Sequence, residues 1–185
     1  MAPRTPALPV TAWLTGMSGA GKSTLASAAV RQLREGGHAA ACLDGDALRE
    51  GLNANLGFGV EGRAEAVRRA GEAALLLCEA GVIPVVALIS PYAIHRDQVR
   101  ARHVGRGFGF VEVFVDAPVE VLEARDPKGL YARARRGEVT AFTGVSDPYE
   151  PPTSPELHLR TDATDREDCV QRLVGAILRA SAHIE

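Results

Sequence analysis

Gly16-Met17-Ser18-Gly19-Ala20-Gly21-Lys22-Ser23-Thr24 decides the reading of this chain. The stretch fits GxxxxGK[ST], in which glycines let successive backbone N–H groups turn inward around phosphate oxygens. On that reading Gly16, Ser18, Gly19, Ala20, Gly21, Lys22, Ser23 and Thr24 bind the phosphates of ATP. Lys22 reaches the β- and γ-phosphates, and the Ser23 hydroxyl holds Mg²⁺. The motif needs a strand before it and a helix after it, the helix N-terminus aimed at the anion. The pattern supplies both. Val10–Thr15 is a short apolar run, and Lys22–Glu35 has helical periodicity stopped by Gly36-Gly37.

Outward from the loop, strand and helix patterns alternate. Ala39–Leu43 reads as a strand ending at Asp44-Gly45-Asp46. Glu61–Ala80 reads as an amphipathic helix with Ala66, Val67, Ala70, Ala73, Ala74 and Leu77 on one face. Val82–Ile89 is the most apolar run and predicts a central strand. Ala93–Val104 predicts a helix, Phe110–Val115 a strand and Val119–Arg125 a helix. Leu130–Arg136 predicts a short basic helix, Glu156–Arg160 a last strand and Glu167–His183 a closing helix. The alternation implies an α/β class, a three-layer P-loop NTPase fold with helices on both faces of a parallel sheet and a mobile lid. Ligands of such sheets bind beyond the carboxyl ends of the strands. Ser18–Thr24, Asp44–Asp46, Ser90 and Asp116 fall there.

At 185 residues the chain is expected to be one domain over 1–185, with 1–9 a loose proline-bearing leader and 128–152 the lid and substrate loop. Apolar residues make up 46 % and charged residues 24 %, the balance of a soluble globule. The net charge of −2 argues against a nucleic-acid partner. No run approaches about 18 consecutive apolar residues, so no membrane span is expected. Cys42, Cys78 and Cys169 are far apart and make no metal spacing, which fits reduced thiols and a cytoplasmic location. All basic side chains except Lys22 and Lys128 are arginine.

Among nucleotide-binding classes, a GTPase would need an NKxD loop, and neither lysine follows an asparagine. A DNA-directed ATPase would carry an apolar strand ending in Asp-Glu, whereas here that strand ends in Ile89-Ser90-Pro91. A small-molecule kinase remains. Asp44 and Asp46 would orient an acceptor hydroxyl, take its proton, or hold a metal through water. The same residues would also serve as a turn or cap, with Asp46 capping the next helix. Spacing leaves both readings open. Arg125–Arg136 gathers cations suited to a lid closing over transferring phosphates, or to a solvated basic helix. Phe142, beside the Pro148–Pro155 loop, would stack on a purine or belong to the core.

These blocks together resemble the adenylylsulfate (APS) kinase family from about Trp13 to Arg160. The resemblance rests on GMSGAGKST (16–24), LDGDALREGLNANLGF (43–58), RRAGEAALLLCEAG (68–81), ALISPY (87–92) with Arg96-Asp97, and RDPKGLYARARRGEVTAFTGVSDPYEPP (125–152). It implies transfer of the ATP γ-phosphoryl to the 3′-hydroxyl of APS, giving PAPS and ADP, with Mg²⁺. It implies that Lys22 and Ser23 handle ATP and Mg²⁺, and that Asp44 and Asp46 sit at the metal and the acceptor hydroxyl. Arg49, Phe58, Arg63, Ile89, Ser90 and Lys128 match acceptor positions. Phe142 matches an aromatic packed on the acceptor adenine, with Phe58 opposite. Ser90 also matches a serine described as a phosphoserine intermediate. Direct in-line transfer is preferred, because the acceptor is already a hydroxyl. A homodimer is implied by the resemblance alone.

The match departs at the acceptor. Where the family reads DRxENIRR, this chain has Gly62, Arg63, Ala64, Glu65 and Ala66. Gly59 replaces a serine and Ala47 an asparagine. One lost hydrogen bond to a substrate costs about 0.5–1.5 kcal/mol. The departures admit a second reading, a kinase of this type acting on a different nucleotide or hydroxylated intermediate. A third, an inactive nucleotide-binding regulator, is disfavoured by the retained Lys22, Ser23, Asp44, Asp46 and Lys128.

Overall fold

The computed structural model describes residues 9–139 and 142–182. Most of the leader, positions 140–141 of the lid and His183 lie outside them. Strands β1 (Val10–Thr15), β2 (Ala40–Asp44), β3 (Ile83–Ala87), β4 (Gly109–Asp116) and β5 (Leu157–Arg160) form one sheet. Its order is β2-β3-β1-β4-β5 and every pairing is parallel. The helices are α1 (Lys22–Glu35), α2 (Gly45–Glu50), α3 (Val60–Glu79), α4 (Ala93–Val104), α5 (Val119–Arg125), α6 (Leu130–Arg135) and α7 (Arg166–Ala182).

Strand alternation explains the layers. In β1, Val10, Ala12 and Leu14 point to a core shared with Leu25 and Leu33 of α1 and Leu173 and Ile177 of α7. Trp13 points the other way, into a second core with Val67, Ala70 and Ala74 of α3 and Val99 of α4. The whole of β1 is therefore buried, and its C-terminal end delivers the glycine loop between the two layers. The chain runs from β1 to one side of the sheet, then from β3 across to β4 on the other side. The loop thus opens at the switch in strand order, where such sheets bind ligands.

The α/β class and its layers agree with the sequence expectation, with two corrections. Asp44-Gly45-Asp46 is not merely a turn, because it opens the six-residue α2, which has no buried residue and so no apolar periodicity to betray it. The apolar run 82–89 stops being strand at Ala87, because the chain leaves the sheet for a turn at Ser90, whose φ is +39°. The three cysteines are free thiols. Among the described residues, no helix is long and apolar enough to cross a membrane.

Candidate active site

The glycine loop folds as a phosphate cradle. Gly16 adopts a φ of +150°, where a Cβ would run into the Val115 carbonyl, so a side chain there would break the loop. Gly21 caps α1 without a side-chain bond, which leaves the first-turn N–H groups facing the loop. Lys22 is only 8 % exposed, and its Nζ donates to the carbonyls of Gly16 and Met17, both at 2.8 Å. Burial pushes its pKa down to about 8, while Asp44 and Asp46 pull it upward. Its charge is thus held next to carboxylates and under-solvated, a state that phosphate oxygens relieve.

Asp44, at the end of β2, is the N-cap of α2. Its Oδ1 accepts the Asp46 N–H at 2.9 Å, so the cap is Asp44 and not Asp46. Asp44 Oδ2 is buried and has no hydrogen-bond partner. Ser23 is exposed in the first turn of α1. A hydroxyl, a carboxylate oxygen without a partner and phosphate oxygens make an all-oxygen set that fits Mg²⁺. Asp46 is largely exposed and ion-pairs with Lys128, which precedes α6. The lid cation therefore already rests on the carboxylate beside the loop.

The acceptor-side residues form a second group. The Arg49 guanidinium lies 4.1 Å from the centre of the Phe58 ring. Burial, and then the nearby Arg63 charge, lowers the Arg49 pKa. Phe58 is 65 % exposed. Arg63 Nε donates to the Phe58 carbonyl at 2.7 Å, and Nη1 meets Thr143 Oγ1 and, at 3.2 Å, Asp147. An exposed ring with one guanidinium on its face, and a second guanidinium bonded to its backbone carbonyl, suits a ligand that carries both a base and an anionic group. Gly62 is more than a lost side chain, because a Cβ there would run into the Gly57 backbone that carries Phe58.

Ile89 and Ser90 follow β3. The Ile89 carbonyl accepts from Thr15 Oγ1 at 2.7 Å. Ser90 is 2 % exposed, its Oγ accepts from Trp13 Nε1 at 3.0 Å, and its carbonyl accepts from Arg96 at 2.8 Å. Phe142 is 7 % exposed and meets Tyr131 edge-on at 4.9 Å, so its surroundings differ from those of Phe58.

Several residues without a sequence-assigned role hold this arrangement. Tyr131 of α6 donates its hydroxyl to the Ser18 carbonyl at 3.0 Å, seating the lid on the phosphate loop. Thr161 Oγ1 donates to Ala20 O at 3.0 Å and is clasped by Arg125. Tyr149 meets Thr15, and Glu150 bonds Pro91 O and the Ala93 N–H, so the segment around Tyr149 and Glu150 is tied to the ends of β1 and β3. The DPKGLY and DPYE blocks mark these positions, but their partners are remote in sequence.

A family model described as adenylylsulphate kinase matches residues 8–160. An adenylyl-sulfate kinase of Paraburkholderia xenovorans is 52 % identical over 166 residues, covering 90 % of this chain and 91 % of the relative. One of Saccharomyces cerevisiae is 49 % identical over 159 residues, covering 86 % and 79 %. The structure of the Mycobacterium tuberculosis APS kinase in complex with AMPPNP and APS superposes with a TM-score of 0.88 at 46 % identity, covering 92 % of this chain and 98 % of that one. On these matches, which cover most of its length, this chain belongs to the adenylylsulfate kinase family and is an ATP-dependent kinase.

Proposed function

We propose that this enzyme transfers the γ-phosphoryl group of ATP to the 3′-hydroxyl of adenylylsulfate. The observation that carries the reading is the convergence of Lys22, Asp44, Asp46 and Lys128. A phosphate lysine, two carboxylates and a lid cation share one electrostatic neighbourhood.

In this reading the loop N–H groups and Lys22 hold the phosphates. Asp46, the exposed carboxylate, orients the acceptor hydroxyl and takes its proton. The acceptor oxygen bonds to the γ-phosphorus as the bond from that phosphorus to the β–γ bridging oxygen breaks, and ADP leaves. Ser23 and, through water, Asp44 would hold Mg²⁺, which would neutralise phosphate charge. Lys128 leaves Asp46 for the transferring group as the lid closes. Arg49, Phe58 and Arg63 take the acceptor, whose base rests on Phe58. Direct transfer accords with Ser90, whose hydroxyl is buried and already engaged by Trp13. Family membership and the free cysteines support a cytoplasmic homodimer, which light scattering and cell fractionation test.

The test is ADP release from Mg·ATP with APS, against a panel of other nucleotides and hydroxylated metabolites at equal concentration. APS is expected to give the strongest signal, with PAPS as product. Asp46→Ala should lower kcat by about 100-fold or more with ATP affinity nearly unchanged. Phe58→Ala should raise the KM for APS alone. Turnover of another acceptor, with none of APS, overturns the reading.

A further inference from the structure

Arg63 bridges two walls of the acceptor site. Its Nε holds the carbonyl of Phe58, and its Nη1 reaches across to Thr143 and Asp147 in the turn that follows Phe142. Gly62 and Ala66, its neighbours on α3, bring it no polar side-chain atom. Asp147 answers from the far wall. Its carboxylate also accepts the Tyr92 hydroxyl at 3.1 Å, from the loop after β3 that contains Ser90. Asp147 is fixed to its own turn as well, its N–H donating to the Phe142 carbonyl at 3.1 Å and its carbonyl accepting from Gly144 at 2.8 Å. Both Arg63 and Asp147 are mostly buried side chains. One carboxylate thus joins the Phe58 wall, the Phe142 turn and the Ser90 loop.

We infer that Asp147 is a positioning residue for the acceptor: it orients the Arg63 guanidinium and sets the spacing between the Phe58 and Phe142 walls. The inference rests on Arg63 being an acceptor residue. A guanidinium whose Nε is held by the Phe58 carbonyl and whose Nη1 is held by Thr143 and Asp147 has few remaining orientations, so its charge is ordered before an acceptor arrives. Without Asp147, Arg63 swings on its long side chain, and the Phe142 turn loses its tether to α3. The loss is expected to fall on acceptor binding, because the Asp147 carboxylate engages Arg63 and Tyr92.

The experiment measures kcat and the KM values for APS and ATP in Asp147→Asn, Arg63→Ala and the double variant, with thermal melting of each. Asp147→Asn keeps size and shape and removes the charge. It is expected to raise the KM for APS about tenfold, with the KM for ATP within about twofold. Adding Asp147→Asn to Arg63→Ala should cost little more than Arg63→Ala alone, because the carboxylate acts through the guanidinium. If Arg63→Ala leaves the KM for APS unchanged, the reading of Arg63 itself fails. If Arg63→Ala raises it and Asp147→Asn does not, the inference about Asp147 is overturned. Fully multiplicative effects in the double variant also overturn it. Should Asp147→Asn melt too low to assay, Tyr92→Phe removes a single hydroxyl from the same carboxylate, and a rise in the KM for APS confined to that substrate is the expected result. An unchanged value in Tyr92→Phe overturns the inference.

Discussion

Lys22 carries a conflict that folding alone would not select. Its ammonium is buried, and burial depresses its pKa from 10.5 to about 8 although two carbonyls and two carboxylates attend it. The unfolded chain therefore binds this proton more tightly than the folded one. The resulting destabilisation is complete below pH 8 and fades as the pH rises from 8 to 10.5. A shift of this size is worth at most about 3 kcal/mol. Lys22→Met keeps the length and removes the charge. It should raise the melting temperature of the ligand-free protein at pH 7 by roughly 3–8 °C, while turnover falls below detection. The increment should shrink towards pH 10. Melting curves across pH check this, and a lower melting temperature at pH 7 would mean that the carbonyl bonds outweigh the desolvation.

At the scale of elements, α6 is a short helix held by few contacts. Asp126 accepts from the N–H groups of Tyr131 and Ala132, which starts the helix, and the Tyr131 hydroxyl ties it to Ser18. Burial pushes the Tyr131 pKa up to about 12, so this donor keeps its proton throughout the neutral range. Tyr131→Phe removes one hydrogen bond, worth about 0.5–1.5 kcal/mol, and leaves the ring packed on Phe142. Amide exchange in α6 should then quicken by about 2–10-fold, read by hydrogen–deuterium exchange, with a smaller rise in the KM for ATP. Unchanged exchange in α6 would show that the hydroxyl does not restrain the lid. The same scale explains what the sequence hid. The bounds of β1, α1, α4 and α5 are legible because each begins or ends at a glycine, a proline or a change of hydrophobic period. The short α2 has no buried residue to set a period, and it was legible only as an ambiguity at Asp44-Gly45-Asp46.

Across the whole molecule, Arg96 joins parts that the chain keeps apart. It is 2 % exposed and bonds Glu112 on β4 at 2.7 Å, Ser90 O after β3 at 2.8 Å and Glu150 O, before β5, at 2.9 Å. Arg100 and Glu156 extend the network to the approach to β5. Removing one partner of a buried pair leaves an uncompensated charge and costs about 3–5 kcal/mol. Arg96→Met should therefore lower the melting temperature by roughly 6–20 °C. Adding Glu112→Gln should recover part of the loss, since no charge is then stranded. Equal melting temperatures for Arg96→Met and the wild type would remove the network from the account of stability.

The sequence by itself determined the α/β class, the phosphate loop and its flanking elements, the kinase family, and the carboxylates and lysines grouped at the site. These are local facts, carried by periodicity, by glycines at turns and by contiguous motif blocks. The tertiary structure decided how each group is used. It gave the cap to Asp44 and left Asp46 open to Lys128, because α2 begins at Gly45, two residues before the start that a cap at Asp46 would set. It sealed the Ser90 hydroxyl beneath Trp13, and it set Asp147 against Arg63 and Tyr92. Those contacts join residues far apart in the chain. They exist because parallel strands bring the ends of β1 and β3 and the segment around Asp147 to one edge of the sheet; the strand pattern located that edge, but no spacing along the sequence encodes which side chains meet there.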